Sequence, residues 1–345
     1  MLRPEGEIGP KQVWVFLTSK HGDNAQSLTL AQTIGLPYDV RKLHFDPLLE
    51  RRKPRVRPTL HHVDRVTSDE LKSPWPDLII VTGRRPSMAA LWVKEQSGGR
   101  TKIALIGKPK ACFDQFNLVI AAAHYRLPED RSNVLRIGLP LVEVPADRLD
   151  CARRDWTPRL QDLARPLTVL CFGGSTGARP LDRPAVQNIM QNACKAASSG
   201  TLYALTSRRT PPSAQSEIKA QLPPNGRLYS WQQQDSENPY LGLLALGDRF
   251  IVTGDSISML VEIARLGKPL AIAALPPEGG FRGLAKRLVS HLGRGPARDF
   301  DLFHRYLYDQ GWAVPLGKEF VAPASLPPDD REIAAARIRR LMSSD

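Results

Sequence analysis

The sequence predicts an α/β protein built as two Rossmann-like, doubly wound domains facing each other across a cleft. Three observations predict it. A chain of 345 residues is long enough for two domains rather than one. Its short apolar runs are continuous rather than alternating, the pattern of strands covered by helices on both faces. The order strand, turn, helix also starts twice, near Val13 and again near Leu167.

Val13–Leu17 is the first strand, followed by a loop and a helix from about Ala25 to Ile34, which Gly35 and Pro37 close. Tyr38–Leu43 and Leu78–Val81 are the next strands. The turn Thr82–Pro86 then leads into a helix at Ser87–Gln96, and strands Ile103–Ile106 and Leu118–Ala121 complete a parallel sheet. The second round opens with Leu167–Phe172 and passes through Gly173-Gly174-Ser175-Thr176-Gly177 into a helix near Arg183–Ser198. Strands Leu202–Thr206, Arg227–Ser230, Phe250–Thr253 and Leu270–Ala273 follow. Pro140, Pro145, Pro158 and Pro166, set in polar sequence, mark the joint. The expected domains are therefore 1–150 and 151–345, the second ending in a helical tail. Ligands of such sheets sit beyond the carboxyl ends of the strands.

Composition narrows the partners. A formal charge of +13 favours an anionic ligand: a phosphorylated molecule, an acidic membrane surface or nucleic acid. Aromatic residues make up only 7%, and no zinc spacing or basic-aromatic signature occurs, so nucleic acid is set aside. Cys112, Cys151, Cys171 and Cys194 lie far apart and read as reduced thiols of a cytoplasmic protein. Neither an apolar signal core at the N-terminus nor an 18-residue apolar stretch is present, which argues against an integral membrane protein.

Residues 249–269 carry the most specific chemistry. Phe250–Thr253 is a strand, Gly254-Asp255-Ser256 a tight turn, and Ser256–Arg265 a helix with Met259, Leu260, Ile263 and Leu266 on one side, ended by Gly267. Asp255, Ser256 and Ser258 thus lie at a helix N-terminus, where free N–H groups and hydroxyls hold phosphate. Glu262 follows about 6–9 Å along the axis, a suitable reach for a carboxylate gripping a ribose diol. The ordinary alternative makes Asp255 or Ser256 a helix cap and Glu262 a solvated side chain.

Other turns add candidates. Gly174, Ser175 and Thr176 form a glycine- and hydroxyl-rich turn suited to anions, without Walker or dinucleotide spacing. Arg208 and Arg209, after strand Leu202–Thr206, could clamp a diphosphate or merely decorate a loop. In the first half, Asp23 or His21 is a candidate base, with Gly22, Asn24 and Gln26 placing an acceptor hydroxyl; Asp23 or Asn24 would equally serve as a cap. Arg84, Arg85 and His124 occupy matching strand ends. Arg51–Arg57 is a solvated basic loop or a contact for anionic headgroups. His61-His62 lacks the company of a metal site, and no metal or cofactor is expected.

Asn238-Pro239-Tyr240-Leu241-Gly242, Leu246-Gly247-Asp248 and Val252–Met259 resemble the signature region of the mitochondrial-fission ELM-type family, which includes plant fission factors and many bacterial proteins; the chain is read as a bacterial member. Gly22–Gln26, Gly83–Arg85 and Ser207–Pro211 match the same pattern. The chain departs from it at Gly173–Arg179 and around Gly138–Leu141. That family in turn resembles GT-B glycosyltransferases. The resemblance implies a nucleotide sugar held by the C-terminal domain, with the ribose on Glu262, and an acceptor met by the N-terminal domain, with a base near His21 and Asp23. It also implies a metal-independent transfer at a cytoplasmic site, reached on the inner face of a membrane, to a cell-envelope or lipid-linked glycan. A non-catalytic scaffold and a sugar-nucleotide epimerase are the competing expectations.

Overall fold

The computed structural model describes residues 11–46, 55–109, 111–127, 131–176, 179–233, 235, 237–276 and 299–343, with the side chain of His21 excepted. Arg51–Pro54, Gly177 and Ala178 from the readings above lie outside the described residues. The chain divides into two units: Met1–Val142 with Pro328–Asp345, and Glu143–Pro327.

The first unit is a six-stranded parallel sheet in the order β2-β1-β3-β4-β5-β6. Its elements are β1 (Val13–Leu17), α1 (His21–Ile34), β2 (Tyr38–Lys42), β3 (Leu78–Thr82), α2 (Arg84–Gln96), β4 (Lys102–Ile106), β5 (Leu118–Ala122) and β6 (Val134–Ile137). Every residue of β3 and β5 is buried, as continuous apolar runs require when both faces are covered. Val15, Leu78 and Ile80 face α1, whereas Trp14, Ile79 and Val81 pack with Met88, Leu91 and Val93 of α2. Two sequence readings are corrected in this unit. β6 joins the sheet beyond the strands expected. α1 begins at His21 rather than Ala25, because the amides of Asp23 and Asn24 already donate to the Lys20 carbonyl at 3.1 and 3.0 Å. Gly35, at φ +76°, ends it.

The second unit holds α3 (Ala146–Leu160), β7 (Leu167–Cys171), α4 (Arg183–Ala196), β8 (Thr201–Leu205), α5 (Pro212–Ala220), β9 (Arg227–Tyr229), α6 (Tyr240–Leu246), β10 (Arg249–Thr253), α7 (Ile257–Arg265), β11 (Leu270–Ala273), α8 (Phe300–Asp309) and β12 (Val314–Pro315). Its sheet is also six-stranded and parallel, in the order β12-β11-β10-β7-β8-β9. β10, β7 and β8 are therefore neighbours, and the turns that follow them emerge side by side at one edge of the sheet.

The helical tail is α9 (Asp330–Ser343), and it belongs to the first unit rather than the second. Ala334, Ala335, Ile338 and Met342 complete the core under α1. Asp330, buried, accepts from the amides of Gly138 and Leu139 at 3.2 and 2.9 Å, and Lys102 Nζ donates to the Leu341 carbonyl at 2.9 Å. The chain crosses between units at Val142/Glu143 and returns at Pro328, not once at residue 150. Linear order hides this return, because the contacts of α9 join residues about two hundred positions apart.

Candidate functional site

Three turns converge in the second unit because their strands are adjacent. After β7, Gly173 N–H donates to Thr253 Oγ1 at 2.7 Å, and Gly174 N–H donates to Asp255 Oδ2 at 2.9 Å. After β8, the hydroxyls of Ser207 and Thr210 donate to the Gly173 carbonyl at 3.0 and 2.6 Å. Arg209 Nη2 meets Asp255 Oδ2 at 2.8 Å and donates to Ser256 Oγ at 3.1 Å. Glycine is required at 173 and 174 by space: a Cβ on Gly173 would overlap Ser256 Oγ and the Asp255 carboxylate, and one on Gly174 would overlap the Arg209 backbone. The Asp255 side chain is 1% exposed, and its Oδ1 has no hydrogen-bond partner among the described residues. Arg208 and Ser175 are exposed; Ser175 Oγ accepts from the Leu181 amide at 2.9 Å, and Thr176 closes its loop by a two-way backbone bridge to Arg179.

Ser256 stands at the N-cap of α7, yet its side chain makes no capping bond, and neither does that of Asp255. The capping alternative is therefore corrected. Both side chains turn toward Gly173, Gly174 and Arg209, and the first amides of α7 have no carbonyl to meet within the helix. Ser258 lies in the first turn and is partly exposed. Opposite, buried His304 on α8 has Nε2 at 2.8 Å from the Gly254 carbonyl, which can only accept, so Nε2 carries the proton. Burial holds this imidazole below its ordinary pKa and keeps it neutral.

Glu262 is not a solvated side chain. The Tyr240 hydroxyl donates to its Oε2, and the buried Cys171 lies close enough for Glu262 to disfavour its thiolate. Burial raises the Glu262 carboxyl from 4.5 to about 7, with the Tyr240 bond opposing. The placement of Tyr240 follows from its own segment. Asn238 Oδ1 accepts from the Tyr240 amide at 3.0 Å to start α6, and a Cβ on Gly242 would overlap the Trp156 indole, so α3 seats directly on α6 there.

In the first unit the candidates also gather at strand ends. Asp23, in the first turn of α1, lies beside Gly83, whose Cβ position is 3.9 Å from Asp23 Oδ2. Neither Asp23 nor Asn24 is the cap expected; Lys20 holds that place without a side-chain bond. Asn24 instead ties off β1, with Oδ1 accepting from Thr18 N–H at 2.9 Å and Nδ2 donating to Thr18 O at 2.7 Å. Its amide is thereby committed to the fold rather than to an acceptor. Gly22 is exposed, and Gln26 Nε2 lies 3.5 Å from the Gly22 carbonyl. Arg84 and Arg85 open α2, and Arg85 acts electrostatically on His62. His124 is buried against Tyr125, ring centroids 4.1 Å apart. The described residues include no helix long and apolar enough to cross a membrane.

The profile of the mitochondrial fission ELM1 family matches residues 21–342. The chain belongs to this family. The mitochondrial fission protein ELM1 of Arabidopsis thaliana is 25% identical over 298 residues, 78% of this chain and 64% of the plant protein, so the chain spans less than two thirds of that relative. Protein RP120 of Rickettsia prowazekii is 22% identical over 297 residues, 75% of this chain and 82% of its own length. Among solved structures, a glycosyltransferase from Rickettsia africae superposes with a TM-score of 0.52 at 9% identity, covering 97% of this chain and 98% of that one. A UDP-GlcNAc 2-epimerase from Neisseria meningitidis, bound to UDP-GlcNAc, gives 0.51 at 10% identity, covering 97% and 100%. These structures share the fold, and the ELM1-family chain is GT-B-like.

Sequence reasoning gave no role in this ELM1-family chain to Thr253, Thr210, Ser207, Tyr240 or His304. The hydroxyls flanking the Arg208-Arg209 pair were a usable sign, since a strand end followed by Ser and Thr often ties down a neighbouring turn. His304 carried none, because its partner Gly254 is fifty residues away.

Proposed function

We propose that this chain is a metal-independent GT-B-type glycosyltransferase that binds a nucleotide-activated sugar in its second unit. One observation carries the reading: the Gly174 turn, Arg209, Ser256 and the α7 N-terminus lie together, with Glu262 further along the same helix. This set matches the phosphates and ribose of a nucleoside diphosphate. Charge on the leaving diphosphate is met by Arg209, Arg208, loop amides and the α7 N-terminus without a metal. Asp23, with His21 as its substitute, takes the proton of an acceptor hydroxyl held by the first unit. A lipid-linked or envelope glycan is the acceptor class, met at an anionic membrane through Arg55, Arg57 and the rest of the basic run. Co-sedimentation should then rise with anionic lipid and fall with salt; equal recovery on neutral vesicles removes the membrane contact.

A second reading, a non-catalytic scaffold, is favoured by Asp255, which already takes the Gly174 amide and Arg209, and by the name of the plant relative. An epimerase would share the nucleotide site and differ in product. A thermal-shift panel of UDP-, GDP-, ADP- and CMP-sugars separates binding from scaffolding, since a ligand at a hundred times Kd stabilises by about 2.7 kcal/mol. Product analysis with the best donor then separates transfer from epimerisation.

A further inference from the structure

The Asn238–Gly242 motif lies outside the turns that would hold phosphate, yet it is built with care. Asn238 starts α6, Gly242 admits Trp156, and the result is a tyrosine hydroxyl delivered to one oxygen of Glu262. The other oxygen, Oε1, makes no hydrogen bond among the described residues, and the residue is only partly buried. A carboxylate held this way has one oxygen engaged and one left to accept. We propose that Tyr240 is a positioning residue that sets sugar specificity, fixing Glu262 so that its free oxygen accepts from the ribose 2′-hydroxyl of the nucleotide. This rests on the nucleotide-sugar reading above.

The physical reason is that an unrestrained glutamate would have to lose side-chain freedom on meeting the ribose, whereas a tethered one has lost it on folding. Tyr240 would touch no ligand itself. Phenylalanine at 240 keeps the ring packing and removes only the tether.

The test compares affinities of a nucleoside diphosphate and its 2′-deoxy counterpart by calorimetry. The base is the one wild type binds best among UDP, GDP, ADP and CDP. At pH 8, above the Glu262 pKa of about 7, wild type should prefer the ribonucleotide by about tenfold or more, the worth of one hydrogen bond to a charged group. Tyr240→Phe should cut that preference to about threefold or less, with 2′-deoxy affinity unchanged. In a Glu262→Gln background the same substitution should have no further effect on the ratio. An unchanged ratio in Tyr240→Phe overturns the proposal, as does a wild type indifferent to the 2′-hydroxyl. Should Tyr240→Phe not fold, Asn238→Ala removes the acceptor that seats the Tyr240 amide and so loosens the hydroxyl's hold on Glu262; an unchanged ratio there overturns it equally. A wild type that binds no nucleotide overturns the nucleotide-sugar reading itself.

Discussion

The Arg209 guanidinium and the Asp255 carboxylate meet at 2.8 Å with the acid buried and the base about half exposed. The same Asp255 oxygen accepts the Gly174 amide, so one carboxylate ties the turn after β7 to the turn after β8. The pair leaves the outer edge of the guanidinium without a hydrogen bond among the described residues. Asp255 thus aims Arg209 rather than merely neutralising it.

Removing either partner should expose this coupling. Asp255→Ala leaves a buried amide without an acceptor and should cost about 2 kcal/mol of stability; Asp255→Asn keeps an acceptor and should cost about 1 kcal/mol. Arg209→Ala leaves a buried carboxylate with less support. Urea unfolding of the two alanine variants and their double should give a coupling of about 1 kcal/mol. Additive losses would mean that the contact contributes nothing.

Glu262 makes stability depend on pH with a definite sign. Its folded pKa of about 7 lies above the ordinary 4.5, so the fold favours the neutral acid. That contribution is complete below about pH 4.5 and is lost as pH rises through about 7, by about 3 kcal/mol in all. Glu262→Gln, neutral throughout, should therefore have a flatter stability profile between pH 5 and 7.5. Parallel profiles for the two proteins would show that the carboxyl does not titrate there.

Asp23 separates chemistry from support. It is not the cap of α1, so Asp23→Asn should leave folding and nucleotide affinity intact. If Asp23 is the base, sugar transfer falls by roughly 10²–10⁴-fold in that variant. Full activity would move the role to His21.

The sheets were largely legible because buried parallel strands read as unbroken apolar runs, as in Leu78–Val81 and Leu167–Phe172. β6 was not, since Val134–Ile137 is four residues with an arginine among them, and β12 is only Val314–Pro315. The turns at Gly173, Arg209 and Ser256 were found singly; their meeting depends on strand order, which no local pattern encodes. Capping was misjudged at both α1 and α7. Asn24 reaches back to Thr18, and Asp255 across to Gly174, because partners outside the helix compete with the helix amides for these side chains.

The central claim is that the second unit binds a nucleoside diphosphate through Arg209. Its most direct measurement is calorimetric titration of UDP, GDP, ADP and CDP, and of the sugar conjugate of the tightest, into wild type and Arg209→Ala. The account predicts saturable binding of at least one by wild type, weakened about tenfold or more in Arg209→Ala, the worth of a charge-assisted hydrogen bond. Folded wild-type protein that binds none of them, or an Arg209→Ala variant that binds as tightly, would contradict it.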